Sequence, residues 1–263
     1  MKHLLLCVIA CGVAAAFAAC RAPEKEEPAT TETAAGAGAE NEGPPAEEVS
    51  FPTADGWEIH ATYWEAGEGL PAVVLLHMLP ADRTSYAAFG AQLAAAGFNV
   101  LALDSRGHGE SLNHRGETRR YQDFSDDDHR SSVADVAAAK EFLASRGAEA
   151  AKLGLVGASI GANFALNYAA GDGDVRAVVL LSPGLDYHGV TTAEALMAYG
   201  ERPVYLVASE ADSYAAESVG KLHEMAGHAD FQLFTNAGHG TQIFDAEPAF
   251  RDTLVAWLGD HVK

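Results

Sequence analysis

Leu153-Gly154-Leu155-Val156-Gly157-Ala158-Ser159-Ile160-Gly161 joins a short apolar run to a helical-looking segment that continues to Ala170. A strand that turns abruptly into a helix with Ser at its apex is a nucleophile elbow. The turn is tight, so the backbone at the Ser is strained and side chains crowd around it. Gly157, Ala158 and Gly161 are small enough to relieve that crowding. The helix that follows aims its free N–H groups and its dipole at the apex, where they favour developing negative charge.

The same alternation of strand and helix extends to both sides. Trp57 to Trp64 alternates apolar and polar residues, as a half-exposed strand does. Ala72-Val73-Val74-Leu75-Leu76 is wholly apolar, as a strand buried on both faces of a parallel sheet must be. Tyr86, Phe89, Leu93 and Ala96 have helical spacing before Gly97, and Phe98 to Leu103 is another strand. A long polar loop runs to about Ser131, and Val133 to Leu143 has a helical period. After the elbow come strands at Val175–Leu181, Val204–Ala208 and Phe231–Phe234. Helices are expected at Ala193–Tyr199, through Val219 and Leu222, and from Phe250 to Leu258. Such spacing predicts an α/β fold, with βαβ units in a mostly parallel central sheet and helices on both faces. No internal repeat is present. Ligands bind such sheets at the carboxyl ends of the strands.

The first 50 residues have a different character. Lys2 precedes an apolar run, Leu4 to Phe17, that is shorter than the roughly 18 residues of a membrane-spanning helix and fits a cleaved export signal over residues 1–20. Phe17-Ala18-Ala19-Cys20 resembles a bacterial lipobox, which implies lipidation at Cys20; Val8-Ile9-Ala10-Cys11 would leave too short an apolar core. Arg21 directly after Cys20 resembles outer-membrane sorting in a two-membrane cell. Residues 21–50 hold eight Glu against Arg21 and Lys25, with no Trp, Tyr, Leu or Ile. They are expected to form a disordered tether between a membrane anchor and a domain at residues 51–263.

The net charge of −20 divides into +1 before Arg21, −6 in the tether and −15 in the domain, which argues against nucleic acid as a partner. All three Cys lie at or before Cys20, so the domain contains no disulfide, thiol nucleophile or Cys metal site.

A Ser hydroxyl needs a base, and the base needs an acid to orient it. His239, flanked by Gly238 and Gly240, follows the Phe231 strand, and Asp212 follows the Val204 strand. Glu210 and Asp186 compete with Asp212 for the acid position. An oxyanion needs two backbone donors: one is the N–H of Ile160, and the other comes from the loop His77-Met78-Leu79.

Gly157 to Gly161, Asp104-Ser105-Arg106-Gly107-His108-Gly109-Glu110-Ser111, the His77 loop, Asp212 and His239 together resemble the α/β-hydrolase superfamily. The resemblance covers nearly all of Phe51–Lys263. It implies an enzyme with a Ser159-His239-Asp212 triad, Leu79 N–H as the second oxyanion donor, and a non-catalytic role for Asp104–Ser111 in the active-site floor. Met78 stands where the family usually has Gly. About twenty residues separate Leu181 from the next strand, too few for a large cap, so the chain is similar to compact esterases of the dienelactone hydrolase type, with Ser159 in place of Cys. The implied reaction is hydrolysis of a small-molecule carboxylic ester of a small or medium acyl group, without a cofactor. A non-catalytic envelope binding protein, an acyltransferase and a peptidase are the alternatives on the same fold.

Two patterns mimic metal sites. His223 and His228 are five residues apart, about 140° around a helix, and so cannot face one zinc ion. Asp126-Asp127-Asp128 reads as a solvated loop or a helix start.

Overall fold

The computed structural model describes residues 43–263; the expected signal peptide, Cys20 and most of the tether lie outside the described residues. One eight-stranded sheet organises the rest. Its strands are β1 (Ala46–Pro52), β2 (Glu58–Trp64), β3 (Pro71–Leu76), β4 (Asn99–Leu103), β5 (Glu149–Ala158), β6 (Val175–Leu181), β7 (Val204–Ser209) and β8 (Asp230–Phe234). Their spatial order is β1-β2-β4-β3-β5-β6-β7-β8. Only β2 runs against its neighbours, antiparallel to β1 and to β4. The remaining pairs are parallel, as the alternating sequence requires.

Strand side chains point alternately to the two faces, so a strand buried on both must be apolar throughout. In β3, Ala72, Val74 and Leu76 join the core under α3 (Val133–Ser145), α4 (Ile160–Gly171) and α6 (Ser213–Met225). Val73 and Leu75 join the opposite core, under α1 (Ala87–Ala95), α7 (Ile243–Ala246) and α8 (Phe250–Val262). Between β6 and β7 stand only a hairpin of two-residue strands, Asp186–Tyr187 with Val190–Thr191, and the short helix α5 (Ala193–Tyr199). Among the described residues there is no large cap.

The expected tether boundary at Ser50 is corrected, because Ala46 to Ser50 belong to β1. This strand pairs with β2 from Ala46 opposite Trp64 to Pro52 opposite Glu58. It lies at the edge of the sheet, where exposed charge and a proline are tolerated. Its glutamates are held from either side: Glu47 by Arg146 at 2.6 Å, and Glu48 by Arg83 at 2.7 Å. The long polar loop is also more ordered than its composition suggests. It contains a hairpin, Asn113–His114 with Glu117–Thr118, and a short helix, α2 (Asp126–Ser131). Ser125 and Asp128 close a reciprocal capping box on α2, so the three aspartates sit in its first turn, where the dipole favours them.

Candidate active site

Ser159 ends the elbow with φ +55 and ψ −125, a backbone state that costs energy for any residue with a Cβ. Parallel pairing pins it, because the Ser159 N–H donates to the Leu181 carbonyl at 2.8 Å. α4 begins at the next residue, so its N-terminal dipole starts at the hydroxyl. Among the described residues, the N–H groups of Ile160 and Leu79 donate to no protein acceptor, which leaves both available to an oxyanion.

The structure brings His239 and Asp212 together, with Nδ1 of the imidazole 2.5 Å from Oδ2 of Asp212. Asp212 also caps α6, its other oxygen accepting the Ala215 N–H at 3.4 Å. Asp186 stands elsewhere, in the turn of the small hairpin, where its carboxylate accepts the Gly189 N–H at 2.8 Å. Glu210 is exposed. The loop carrying His239 is tied down at three points that the sequence did not disclose. Ser209 Oγ accepts the Ala237 N–H (2.8 Å), Gln242 accepts the His239 N–H (2.9 Å), and Ser182 Oγ accepts the Gly240 N–H (2.9 Å). A Cβ on Gly240 would lie 3.2 Å from the Cβ of Ala158, so the residue after the histidine rests against the residue before the serine.

His77 locks the other wall. It is 1% exposed, and its Nε2 accepts the Ser105 N–H at 3.0 Å. Nδ1 therefore carries the ring proton and donates to the Met78 carbonyl at 2.9 Å. The loop after β3 is thus fixed to the loop after β4. Met78, in the place of the usual glycine, turns its sulfur toward Gly240, 3.0 Å from where a Cβ there would be. Asp104 anchors the floor, accepting the Arg83 and Glu110 N–H groups at 2.8 Å each. Arg106 is buried against Asp135.

Burial, and then the nearby charge of His108, push the His77 imidazole down to about 3. The unfolded chain accepts a proton there below about pH 6.5 while the folded chain refuses it, so stability is full above pH 6.5 and falls as pH drops toward 3. His77 alone is expected to remove roughly 2–3 kcal/mol between pH 7.5 and 4.5. Urea unfolding at the two pH values checks this, with His77→Gln losing that share of the slope. Equal slopes for the two proteins would refute it.

The two histidines of the zinc-like spacing have separate neighbours. His223 lies tilted against Phe231 with ring centroids 4.9 Å apart, and His228 lies 3.4 Å from Glu201. No group of three or more potential ligands is clustered for a metal among the described residues.

Residues 68–204, more than half of the chain, match the family Hydrolase_4, described as serine aminopeptidase, S33. That span includes Ser159 and ends before Asp212 and His239. No curated protein matches the chain. Similar solved structures include an esterase of Pyrococcus furiosus, with TM-score 0.67 and 18% identity over 83% of this chain and 94% of that one. An α/β hydrolase, GrgF, of a Penicillium species has TM-score 0.70 and 16% identity over 83% and 99%. A dienelactone hydrolase of Anabaena variabilis has TM-score 0.66 and 18% identity over 84% and 99%. At these identities the likeness is one of fold, and the fold is the one expected from the sequence.

Proposed function

This chain belongs to the serine aminopeptidase S33 family of α/β-hydrolase enzymes, and we propose that it hydrolyses carboxylic esters of small or medium acyl groups through Ser159, His239 and Asp212. The observation that carries the proposal is the Asp212–His239 contact of 2.5 Å, on a loop resting against the residue before Ser159. His239 takes the Ser159 proton as Oγ attacks the ester carbonyl. The Ile160 and Leu79 N–H groups hold the oxyanion, and the protonated imidazole gives its proton to the departing alcohol. Water, deprotonated by His239, then releases the acid and restores Ser159. Asp212 fixes the imidazole tautomer and stabilises its cation. The absence of a large cap suits substrates that approach from open solvent.

Hydrolysis of p-nitrophenyl acetate, butyrate and octanoate by the full chain tests this. Turnover that is fastest on one of the two shorter esters is expected, and turnover of none would refute the esterase reading. The family's description favours a second reading, an aminopeptidase, which alanine p-nitroanilide in the same assay would reveal.

We further propose that the enzyme is exported and held on the cell envelope by lipid at Cys20, which the lipobox supports. Labelled palmitate should enter the wild type and not Cys20→Ser; an unlabelled wild type would refute the anchor.

A further inference from the structure

Ser182 follows β6 as Ser159 follows β5. Ala158 pairs with Leu181, so the two serines stand at the same level on neighbouring strands. Both have a positive φ, +55 at Ser159 and +51 at Ser182. In a residue with a Cβ that state costs energy, and it persists only where the surroundings enforce it. Pro183 comes next and narrows the conformations open to Ser182 further. The chemistry above accounts for the strain at Ser159 and makes no use of the strain at Ser182.

Ser182 is fully buried, and its backbone and side chain are all engaged. Its N–H donates to the Val207 carbonyl at 2.7 Å, and its carbonyl accepts the Tyr187 hydroxyl at 3.4 Å. Its Oγ accepts the Gly240 N–H at 2.9 Å. The first of these bonds extends the ladder between β6 and β7, so the sheet itself sets where Oγ stands. With that N–H held, a negative φ would rotate Cβ about the N–Cα bond and carry Oγ to another side of the strand end.

The loop around His239 turns at two glycines, Gly238 (φ +76) and Gly240 (φ +58). Glycine leaves a backbone freer than any other residue does, so the place of the imidazole depends on what holds the loop. Of the loop's three ties, that of Gln242 lies within the loop, and that of Ser209 lies before Gly238. The tie of Ser182 joins the residue next to His239 to the sheet that carries Ser159.

We infer that Ser182 is a positioning residue, whose strained backbone aims Oγ at the Gly240 N–H and so sets where His239 stands relative to Ser159; the role rests on the serine-hydrolase reading above. It acts through the loop on both proton transfers. His239 takes the Ser159 proton and delivers it to the departing alcohol, and each transfer needs the imidazole within hydrogen-bond reach.

Ser182→Gly and Ser182→Ala both remove Oγ, but Gly is at ease at a positive φ and Ala is not. If Ser182 served the turn alone, Gly would preserve the turn and full activity with it. In the full chain, kcat and KM for p-nitrophenyl butyrate are measured beside the rate at which a fluorophosphonate labels Ser159, and beside thermal unfolding. Both variants are expected to lose about 10- to 100-fold in kcat and in labelling rate, with KM within about threefold, as a displaced base requires. The Gly variant should melt no lower than the Ala variant, and its activity should not recover with its stability. Should the Ala variant fail to fold, the Gly variant decides. A Gly variant that turns over and labels like the wild type would overturn the inference alone. A wild type that neither turns over nor labels would overturn the serine-hydrolase reading and the role of Ser182 with it.

Discussion

Replacing Ser159 by Ala should lower kcat for p-nitrophenyl esters by about 10³- to 10⁶-fold and leave the fold intact. Removing the nucleophile disables its base as well, because His239 then has no hydroxyl to activate, and what survives is hydrolysis by bound water near the oxyanion donors. Stability should barely change. Ser159 makes no capping hydrogen bond to α4, and Ala, which also has a Cβ, meets the same backbone strain at φ +55. Circular dichroism and thermal unfolding of the full chain should therefore superimpose on the wild type while turnover disappears. Asp212→Asn separates the mechanism further: it keeps nucleophile and base but holds the imidazole in the wrong tautomer, a loss of about 10⁴-fold. Asp186→Asn, which only loosens a hairpin turn, should retain most activity. A Ser159→Ala protein as active as the wild type would remove Ser159 as the nucleophile and the triad with it.

The elbow was legible because its geometry dictates residue identity: a backbone that turns so sharply admits only small neighbours. The sheet was legible because burial on both faces demands unbroken apolar runs. β1 was not. Ala46 to Pro52 buries only Phe51 well, and it presents glutamates that read as tether until Arg83 and Arg146 are seen to receive them. Asp212 and Asp186 each follow a strand end, and sequence alone does not separate them. Three-dimensional placement does, putting one on His239 and the other in a hairpin turn. Ser182 was invisible for a related reason. It acts on Gly240 fifty-eight residues away, and no local pattern encodes such a contact. His77 was visible as part of a loop, while the lock it forms with the Ser105 N–H was not.

The elbow's small residues make the second large prediction. A Cβ on Gly157 would lie 2.2 Å from the Gly161 carbonyl oxygen, and one on Gly161 would lie 2.5 Å from the Leu76 carbonyl oxygen and 2.6 Å from that of His77. These obstacles are backbone atoms in the most constrained part of the sheet, so no side-chain rotation relieves the clash. Gly157→Ala and Gly161→Ala are each expected to cost about 3–5 kcal/mol, at or above the upper end of ordinary overpacking. If Gly161→Ala still folds, α4 must withdraw from the end of β3. That displacement separates the Ile160 N–H from the Leu79 loop and spoils the oxyanion site, so kcat should fall even in the folded fraction. Gly220 supplies the contrast: it lies inside α6 with open space where its Cβ would be. Gly220→Ala should stabilise the protein by roughly 0.5–1 kcal/mol through the lost freedom of the unfolded chain. Urea unfolding of the three variants decides the matter. Elbow variants that unfold at the wild-type urea concentration would mean that the turn is far more yielding than the close approach of α4 to β3 implies.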